Sequence, residues 1–487
     1  MEASIAESFR NGTVFVTGST GFLGKILIEK LLRSCSMKNI ALLVRSKKGL
    51  DSSQRVADIC NQSIFDRLRI EKPDFMTKIK IIDGDLEQPS LGLSPRDHDW
   101  LIENVNFVFH CAATIKFNEP LPLALRINIQ GTENLLELAT KMNALKGFVH
   151  VSTAYSHCPK TEINEQFYPV SISAKELKKL IKRDENTQNV SVDWPNTYTF
   201  TKALTENVIS KNENKLPISI FRPSIIGCTK SEPEPGWVDN MNGVSGIIAS
   251  LIVGVLRTIQ LSKEKMTDIV PVDYTVNALI SVMWDTVNRH RDGDKKNKEP
   301  KIYNYVSSVE SSICWDKIIE YTFETYQQVP PLESMWYMFF ICSANRWVVN
   351  ILRFFLHRIP GALVDLSFII RGKNPKMLKI YERVENMNDL LKNFTTSEWK
   401  FDNSNTRELW SSLSQEDRKT FWFGFEEFDW KSYIKCTIYG IRKHILHEDL
   451  SNMTRALSKN RKLFWLHLLC IFLIICTVFQ VYWKFMT

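Results

Sequence analysis

Apolar residues change their spacing in a regular alternation over the first 155 positions of the chain. Val14, Phe15 and Val16 form a short continuous apolar run, the pattern of a buried strand. Leu23, Leu27, Leu31 and Leu32, with Ile26 and Ile28 between them, then recur at helical spacing. Further runs predict strands at Ile40–Val44, 78–86, 105–114 and 147–155, with a helix over 124–142. Strands alternating with helices predict an α/β fold, a Rossmann-like doubly wound parallel sheet with helices on both faces. His110 and His150 fall inside two of these strands and read as core histidines. At the other end, Leu463–Trp483 is apolar apart from breaks such as His467 and Gln480. That run is long enough to cross a bilayer as a helix, and its aromatics gather near both ends.

The first strand meets the first helix at "TGSTGFLG", residues 17–24, which opens the first βαβ unit. The glycine spacing is G-x-x-G-x-x-G, not the usual G-x-G-x-x-G. A side chain at Gly18 or Gly21 would hold a ligand away from the free amides at the helix N-terminus. Those amides and the helix dipole favour a pyrophosphate. Thr17, Gly18, Ser19, Thr20, Gly21, Phe22, Leu23 and Gly24 are therefore the expected dinucleotide cradle.

The second strand ends in Arg45, Lys47 and Lys48. In a doubly wound sheet this end faces the adenosine ribose, where an acid suits a free 2′-hydroxyl and a cation suits a 2′-phosphate. No acid stands in that stretch, so Arg45 and Lys48 point to NADPH. Asp85, beside Leu86, is placed to accept a bond from the adenine amine, and Cys111, Ala112 and Ala113 are small where the backbone passes the cofactor.

Tyr198 and Lys202 stand four apart in "NTYTFTKALTENVI", on one face of a predicted helix. An ammonium beside a phenol favours the phenolate and lowers its pKa. Tyr198 is then placed to protonate a carbonyl oxygen as hydride reaches the carbon. A third group must hold that carbonyl. "HVSTAY" offers Thr153, the preferred residue, with Ser152 as the alternative.

Charge and cysteine usage narrow the partners. The net charge is +8 with basic residues scattered, which argues against nucleic acid. The ten cysteines form no C-x-x-C pair, so neither a metal site nor a disulfide framework is expected. The start, "MEASIAESFRNG", lacks a basic region followed by an apolar core and does not read as a secretory signal. Arg455, Lys459, Arg461 and Lys462 precede the apolar tail and only Lys484 follows it. The positive-inside rule then predicts a single-pass C-terminal anchor with the globular part in the cytosol, at the endoplasmic reticulum or the peroxisome.

Taken together, these residues resemble the extended short-chain dehydrogenase/reductase superfamily and, within it, the fatty acyl-CoA reductases. The resemblance rests on "TGSTGFLG", "LLVRSKKG" (42–49), "HCAAT" (110–114), "NIQGTENLLELA" (128–139), "HVSTAY" (150–155), Tyr198 with Lys202, "FRPSIIG" (221–227), "GWVDNMNGVSGI" (236–247) and "DIVPVDYTVNALI" (268–280). It implies reduction of a long-chain fatty acyl-CoA to a fatty alcohol and CoA with two NADPH. It further implies that Lys202 bonds the nicotinamide ribose, that Asn128 supports the proton path, and that Pro223 and Ile225 pack near the nicotinamide.

The domain order it implies is a reductase domain over 1–320, an apolar linker over 321–354, a helical second domain over 355–448 and a membrane helix over 463–483. "SGIIASLIVGVL" (245–256) and "MWYMFFIC" (335–342) read as core rather than as an acyl tunnel or a membrane contact, and "RHRDGDKKNKEPK" (289–301) as a solvated loop. Two rival readings are another membrane-tethered extended reductase, such as a hydroxysteroid dehydrogenase, and a non-catalytic NADP-binding scaffold.

Overall fold

The computed structural model of the protein describes residues 4–47, 49–182, 193–211, 216–291 and 299–486. The chain divides into two compact units. The first comprises Met1–Glu234, Asp268–Ser312 and Trp399–Phe428, and the second Pro235–Thr267, Ile313–Glu398 and Asp429–Thr487.

The first unit is built on a seven-stranded sheet. Its strands are β1 (Thr13–Thr17), β2 (Asn39–Val44), β3 (Ile79–Asp83), β4 (Phe107–His110), β5 (Gly147–Val151), β6 (Ile218–Pro223) and β7 (Lys301–Tyr305). They lie in the order β7-β6-β5-β4-β1-β2-β3, and every pairing is parallel. β1 therefore has β2 on one side and β4 on the other, with Thr17 opposite Leu43 and His110. The chain winds outward from β1 to β3 and then returns to β4. That reversal opens a crevice above the carboxyl ends of β1 and β4, where doubly wound sheets bind their ligands.

Parallel strands covered on both faces need continuous apolar runs, which explains why β1, β4, β5 and β6 are buried at every position. Phe15, Val108, Phe148 and Ile220 join one core cluster across four of these strands. The helix α1 (Phe22–Ser34) is buried from Gly24 to Leu32, including the charged residues Lys25, Glu29 and Lys30. Glu29 is held by Arg33 at 2.7 Å, and Lys30 pairs with Glu232, which Arg33 also reaches at 2.9 Å.

Five of the seven strands match the apolar runs, but three end earlier than the runs do. β3 stops at Asp83, β4 at His110 and β5 at Val151, leaving Gly84–Leu86, Cys111–Thr114 and Ser152–Tyr155 as loops at the crevice edge. β6 and β7 were not anticipated. In the charged stretch 289–301, residues 289–291 end a helix, 292–298 lie outside the described residues and Lys301 starts β7.

The second unit is mainly helical. Gly243–Ile252 is buried along almost its whole length, as a core helix is. Among the described residues two helices are long and apolar enough to cross a membrane, Arg346–Ile370 and Leu450–Met486. The second contains the anticipated tail, which is largely exposed from Trp465 onward. The first runs from the expected apolar stretch 321–354 into the expected helical domain 355–448, and its continuity as one long helix was not anticipated.

Candidate active site

β1 ends at Thr17, and Gly18 then turns the chain with φ +75°, a conformation that glycine adopts without strain. A Cβ on Gly18 would lie 2.7 Å from the Ala112 amide nitrogen. The space beside Gly18 thus belongs to the backbone of Cys111 and Ala112, not to a ligand. Gly24 meets the turn itself, since a Cβ there would lie 2.2 Å from the Gly18 carbonyl. Of the three glycines, Gly21 is the least crowded, with only the Gly18 carbonyl at 3.2 Å. It is also the N-cap of α1 and supplies no side chain to the helix amides. Those amides are left to an anion, so the cradle fits a dinucleotide pyrophosphate.

The hydroxyls of the loop are largely committed to bracing it. Thr17 is buried between His110 Nδ1 at 2.7 Å and the Ala112 amide at 3.3 Å. Ser19 is buried and donates to the Leu43 carbonyl. Thr20 Oγ1 accepts from Arg55 at 3.3 Å. Phe22 and Leu23 are partly exposed in the first turn of α1.

Arg45 leaves the end of β2 and is 41 % exposed, yet it is not alone. Asp85 and Glu87, from the loop after β3, approach its guanidinium at 3.2 and 3.0 Å. The expectation of an acid-free site therefore needs correction: acids arrive from the neighbouring strand. Asp85 is engaged with Arg45 as well as with the Glu87 amide, and Leu86 is buried against Gly131. Lys48 lies outside the described residues. Sequence reasoning also missed Arg55, on helix α2 (Ser52–Cys60), which bonds the Arg45 carbonyl and Thr20. Burial and the Arg45 charge both lower its pKa, as expected of two cations sharing one site.

The reacting side of the crevice is carried by helix α3 (Thr197–Ser210). Asn196 caps it, its side chain accepting the Thr199 amide at 2.9 Å. Tyr198 sits in the first turn and Lys202 one turn further on. Lys202 is buried and donates to the Val151 carbonyl at 2.6 Å, just where β5 gives way to the Ser152–Thr153 loop. Phe117, also missed, stacks on Tyr198 with ring centroids 6.0 Å apart.

The electrostatics of the pair differ from expectation. Burial pushes the Tyr198 phenol up to about 12, and the neighbouring Thr153 hydroxyl only partly opposes this. Burial pulls Lys202 down to about 8 against the Cys111 thiol and the Glu206 carboxylate. Desolvation outweighs any help from the ammonium, so the Tyr198 phenol is not brought toward neutrality. Tyr198 is instead a protonated donor throughout the neutral range.

The structure also separates Thr153 from Ser152. Thr153 lowers the Tyr198 pKa as a neighbour, whereas Ser152 donates to Glu206 at 2.5 Å. Glu206 lies one turn beyond Lys202 and is fully enclosed. It accepts from Arg222 at 3.0 and 2.6 Å and meets His157 at 3.0 Å. These contacts hold its carboxyl well below the usual range despite burial. Nothing in the sequence marks this cluster, because Ser152, His157, Glu206 and Arg222 meet only in the folded unit.

Asn128 is buried in a π-helical segment, Leu125–Gln130, a distortion often found at functional sites. Its side chain bonds the Thr114 amide at 2.8 Å and Thr201 at 2.9 Å. Pro223 ends β6 and accepts the Ala154 amide at 2.9 Å, and Ile225 follows with partial exposure. Cys111, Ala112 and Ala113 line the loop after β4, each partly exposed. His110 and His150 are both buried, His110 bonded to Thr17 and Thr132.

Comparison with known proteins agrees with this geometry. A family model described as male sterility protein, an NAD-binding domain, matches residues 16–279, and a second with the same description matches 356–448. Fatty acyl-CoA reductase wat of Drosophila melanogaster is 38% identical over 472 residues, 96% of this chain and 90% of its own. Human fatty acyl-CoA reductase 1 is 36% identical over 468 residues, 94% of this chain and 90% of its own.

Among solved structures, the terminal R domain of the myxalamid PKS-NRPS pathway aligns with TM-score 0.61 and 18% identity, covering 92% of this chain and 97% of that one. The reductase domain of a Mycobacterium tuberculosis nonribosomal peptide synthetase aligns with TM-score 0.60 and 19% identity, covering 93% and 94%. These structural likenesses establish the fold. With a nicotinamide cofactor as the fitting occupant of its crevice and relatives matched over nearly their full length, the chain belongs to the fatty acyl-CoA reductase family.

Proposed function

We propose that the protein reduces long-chain fatty acyl-CoA to fatty alcohol and free CoA with two equivalents of NADPH. The observation that carries this reading is the placement of Tyr198 and Lys202 one turn apart on α3, with Lys202 bonded to Val151 at the end of β5 where Ser152 and Thr153 follow, at the crevice of a dinucleotide fold. The open N-terminus of α1 holds the pyrophosphate, and Arg45 with Arg55 holds the 2′-phosphate in competition with Asp85 and Glu87. When bound, the reduced nicotinamide supplies the hydride for each reduction.

Thr153 and Tyr198 donate to the substrate oxygen, and their two hydroxyls stabilise the charge that develops there. Tyr198, protonated at neutral pH, passes its proton to that oxygen. Loss of CoA as the thiol leaves the aldehyde, and the same two hydroxyls serve its reduction. Lys202, buried and cationic below about pH 8, orients the nicotinamide ribose and helps recharge Tyr198. Asn128, with Thr201, braces the helices from which these groups project. Pro223 and Ile225 pack near the nicotinamide.

The tail Leu463–Trp483 serves as a single membrane anchor with the catalytic domain in the cytosol, at the endoplasmic reticulum or the peroxisome. Lipid extracts of cells expressing the protein test the reaction: fatty alcohol above the control supports it, and unchanged alcohol with an unrelated reduced product contradicts it. Protease added outside sealed organelles should digest the reductase domain, whereas protection would reverse the orientation.

A further inference from the structure

We infer that helix α4 (Arg346–Ile370) lies flat in a bilayer surface, its apolar face in the lipid and its flanking cations on headgroup phosphates. The helix is 25 residues long, enough by length alone to cross the membrane. Its contacts within the second unit argue against crossing. Val349, His357, Gly361 and Asp365 are spaced by multiples of four residues and are buried, marking one stripe that packs on the protein.

That stripe is latched at several points to helix α5 (Met377–Thr396) and the turn before it. Arg353 pairs with Asp389 at 2.8 Å and Arg358 with Glu385 at 2.5 Å. Asp365 accepts the Lys376 and Met377 amides at 2.8 Å and the Leu378 amide at 3.0 Å. A spanning α4 would either break these bonds or carry charged α5 into hydrocarbon, where ions are costly.

The opposite face is bare. Trp347, Ile351, Phe355, Leu363, Leu366 and Ile370 are each more than half exposed. An apolar stripe of this length, with a polar stripe behind it, is the signature of an interfacial helix. Both ends carry exposed cations, Arg346 at the start and Arg371, Lys373 and Lys376 just beyond the end, with no acid among residues 371–376. Cations in that position complement anionic lipid headgroups.

The helix also begins close to the tail. Phe339 stacks on His467 at 4.8 Å and Tyr337 packs on Phe464 at 5.1 Å, just where helix α6 (Leu450–Met486) becomes exposed. Six residues of chain lie between Phe339 and Arg346, the start of α4. The inference rests on the tail anchor proposed above, which brings this surface to the membrane.

Full-length protein in sealed phosphatidylcholine vesicles, with or without phosphatidylserine, tests it. Ala344→Cys and Lys373→Cys flank the helix, and reaction with a membrane-impermeant maleimide is read peptide by peptide, so native cysteines do not interfere. Both sites should react from outside. A spin label at Leu363→Cys should sit about 5–10 Å below the phosphates, deeper with phosphatidylserine, and lose access to an aqueous nickel chelate several-fold. NADPH binding confirms that each variant is folded.

Reaction at one flank only would mean that α4 spans, overturning the inference. So would a Leu363 label as open to nickel as one at Lys373. Spin–spin broadening in dilute vesicles would replace the lipid by a second copy of the chain. A depth unaffected by phosphatidylserine would remove the phosphate contacts. Carbonate extraction reads the tail separately: protein stripped by carbonate with Leu363 still shielded refutes the anchor and keeps the surface helix.

Discussion

Lys202 should write its own signature into the pH dependence of the enzyme. Its side chain is buried and bonded to the Val151 carbonyl, and burial brings its pKa down to about 8. At pH 9 only about one-tenth of such a group is still an ammonium, so each pH step above 8 removes roughly tenfold of the competent form. Tyr198, at about 12, stays protonated across the same range and adds no second limb.

The appropriate quantity is kcat/KM for NADPH, which reports the free enzyme. It should be level near pH 7 and fall about tenfold between pH 8.5 and 9.5. Lys202→Arg, whose guanidinium does not titrate there, should run at a lower level without that fall. A wild-type profile flat to pH 10, or the same fall in Lys202→Arg, would refute the assignment.

The stability effect has a definite sign. The folded pKa lies below the unfolded value, so the unfolded chain binds more protons between about pH 8 and 10.5 and stability rises with pH there. Burying the ammonium thus costs about 3 kcal/mol at neutral pH, a cost removed as pH rises through that window.

Tyr198→Phe should keep NADPH affinity and lose about 10² to 10⁴-fold in kcat; near-normal turnover would remove Tyr198 from the chemistry. Arg45→Ala and Arg55→Ala should each narrow the NADPH over NADH preference by about tenfold or more, the worth of one charge-assisted bond. Calorimetric titration with both cofactors reads this, and an unmoved ratio in both variants would place the 2′-phosphate elsewhere. Glu206→Gln leaves Arg222 buried without its counter-charge and should cost about 3–5 kcal/mol in denaturant unfolding. A loss below about 1 kcal/mol would show that Asn164 and Gln166, whose carbonyls Arg222 also meets, satisfy the guanidinium alone.

The crevice was legible in sequence because its first βαβ unit is local. A buried strand, a glycine turn and an amphipathic helix follow one another between Thr13 and Ser34. Tyr198 and Lys202 were legible for the same reason, as two residues one helical turn apart. What the residues could not disclose is what meets across long sequence separations. Asp85 and Glu87 reach Arg45 because β2 and β3 are neighbours. Glu206 meets Ser152 and Arg222 because α3, β5 and β6 come together.

β6 and β7 escaped notice because "ISIFRP" and "KIYNY" are short, and Arg222 and Asn304 sit within them as buried polar residues. The Tyr198 pKa was misjudged because charge proximity is visible in sequence and burial is not. Helix α4 was missed because its arginines break the apolar run. Only the pairing of Arg353 and Arg358 with α5 shows that these two are turned toward the protein.

In the crevice built around Tyr198, hydride must reach the acyl carbon twice, first in the thioester and then in the aldehyde. The direct measurement incubates the purified full-length enzyme with a long-chain acyl-CoA and NADPH deuterated at the transferred position, and analyses the products by mass spectrometry. The account predicts fatty alcohol with two deuterons at the carbinol carbon, one free CoA and two NADP⁺ per alcohol, all lost together in Tyr198→Phe. No deuterium transfer from NADPH to the acyl chain, or an aldehyde end product with a single deuteron, would contradict it.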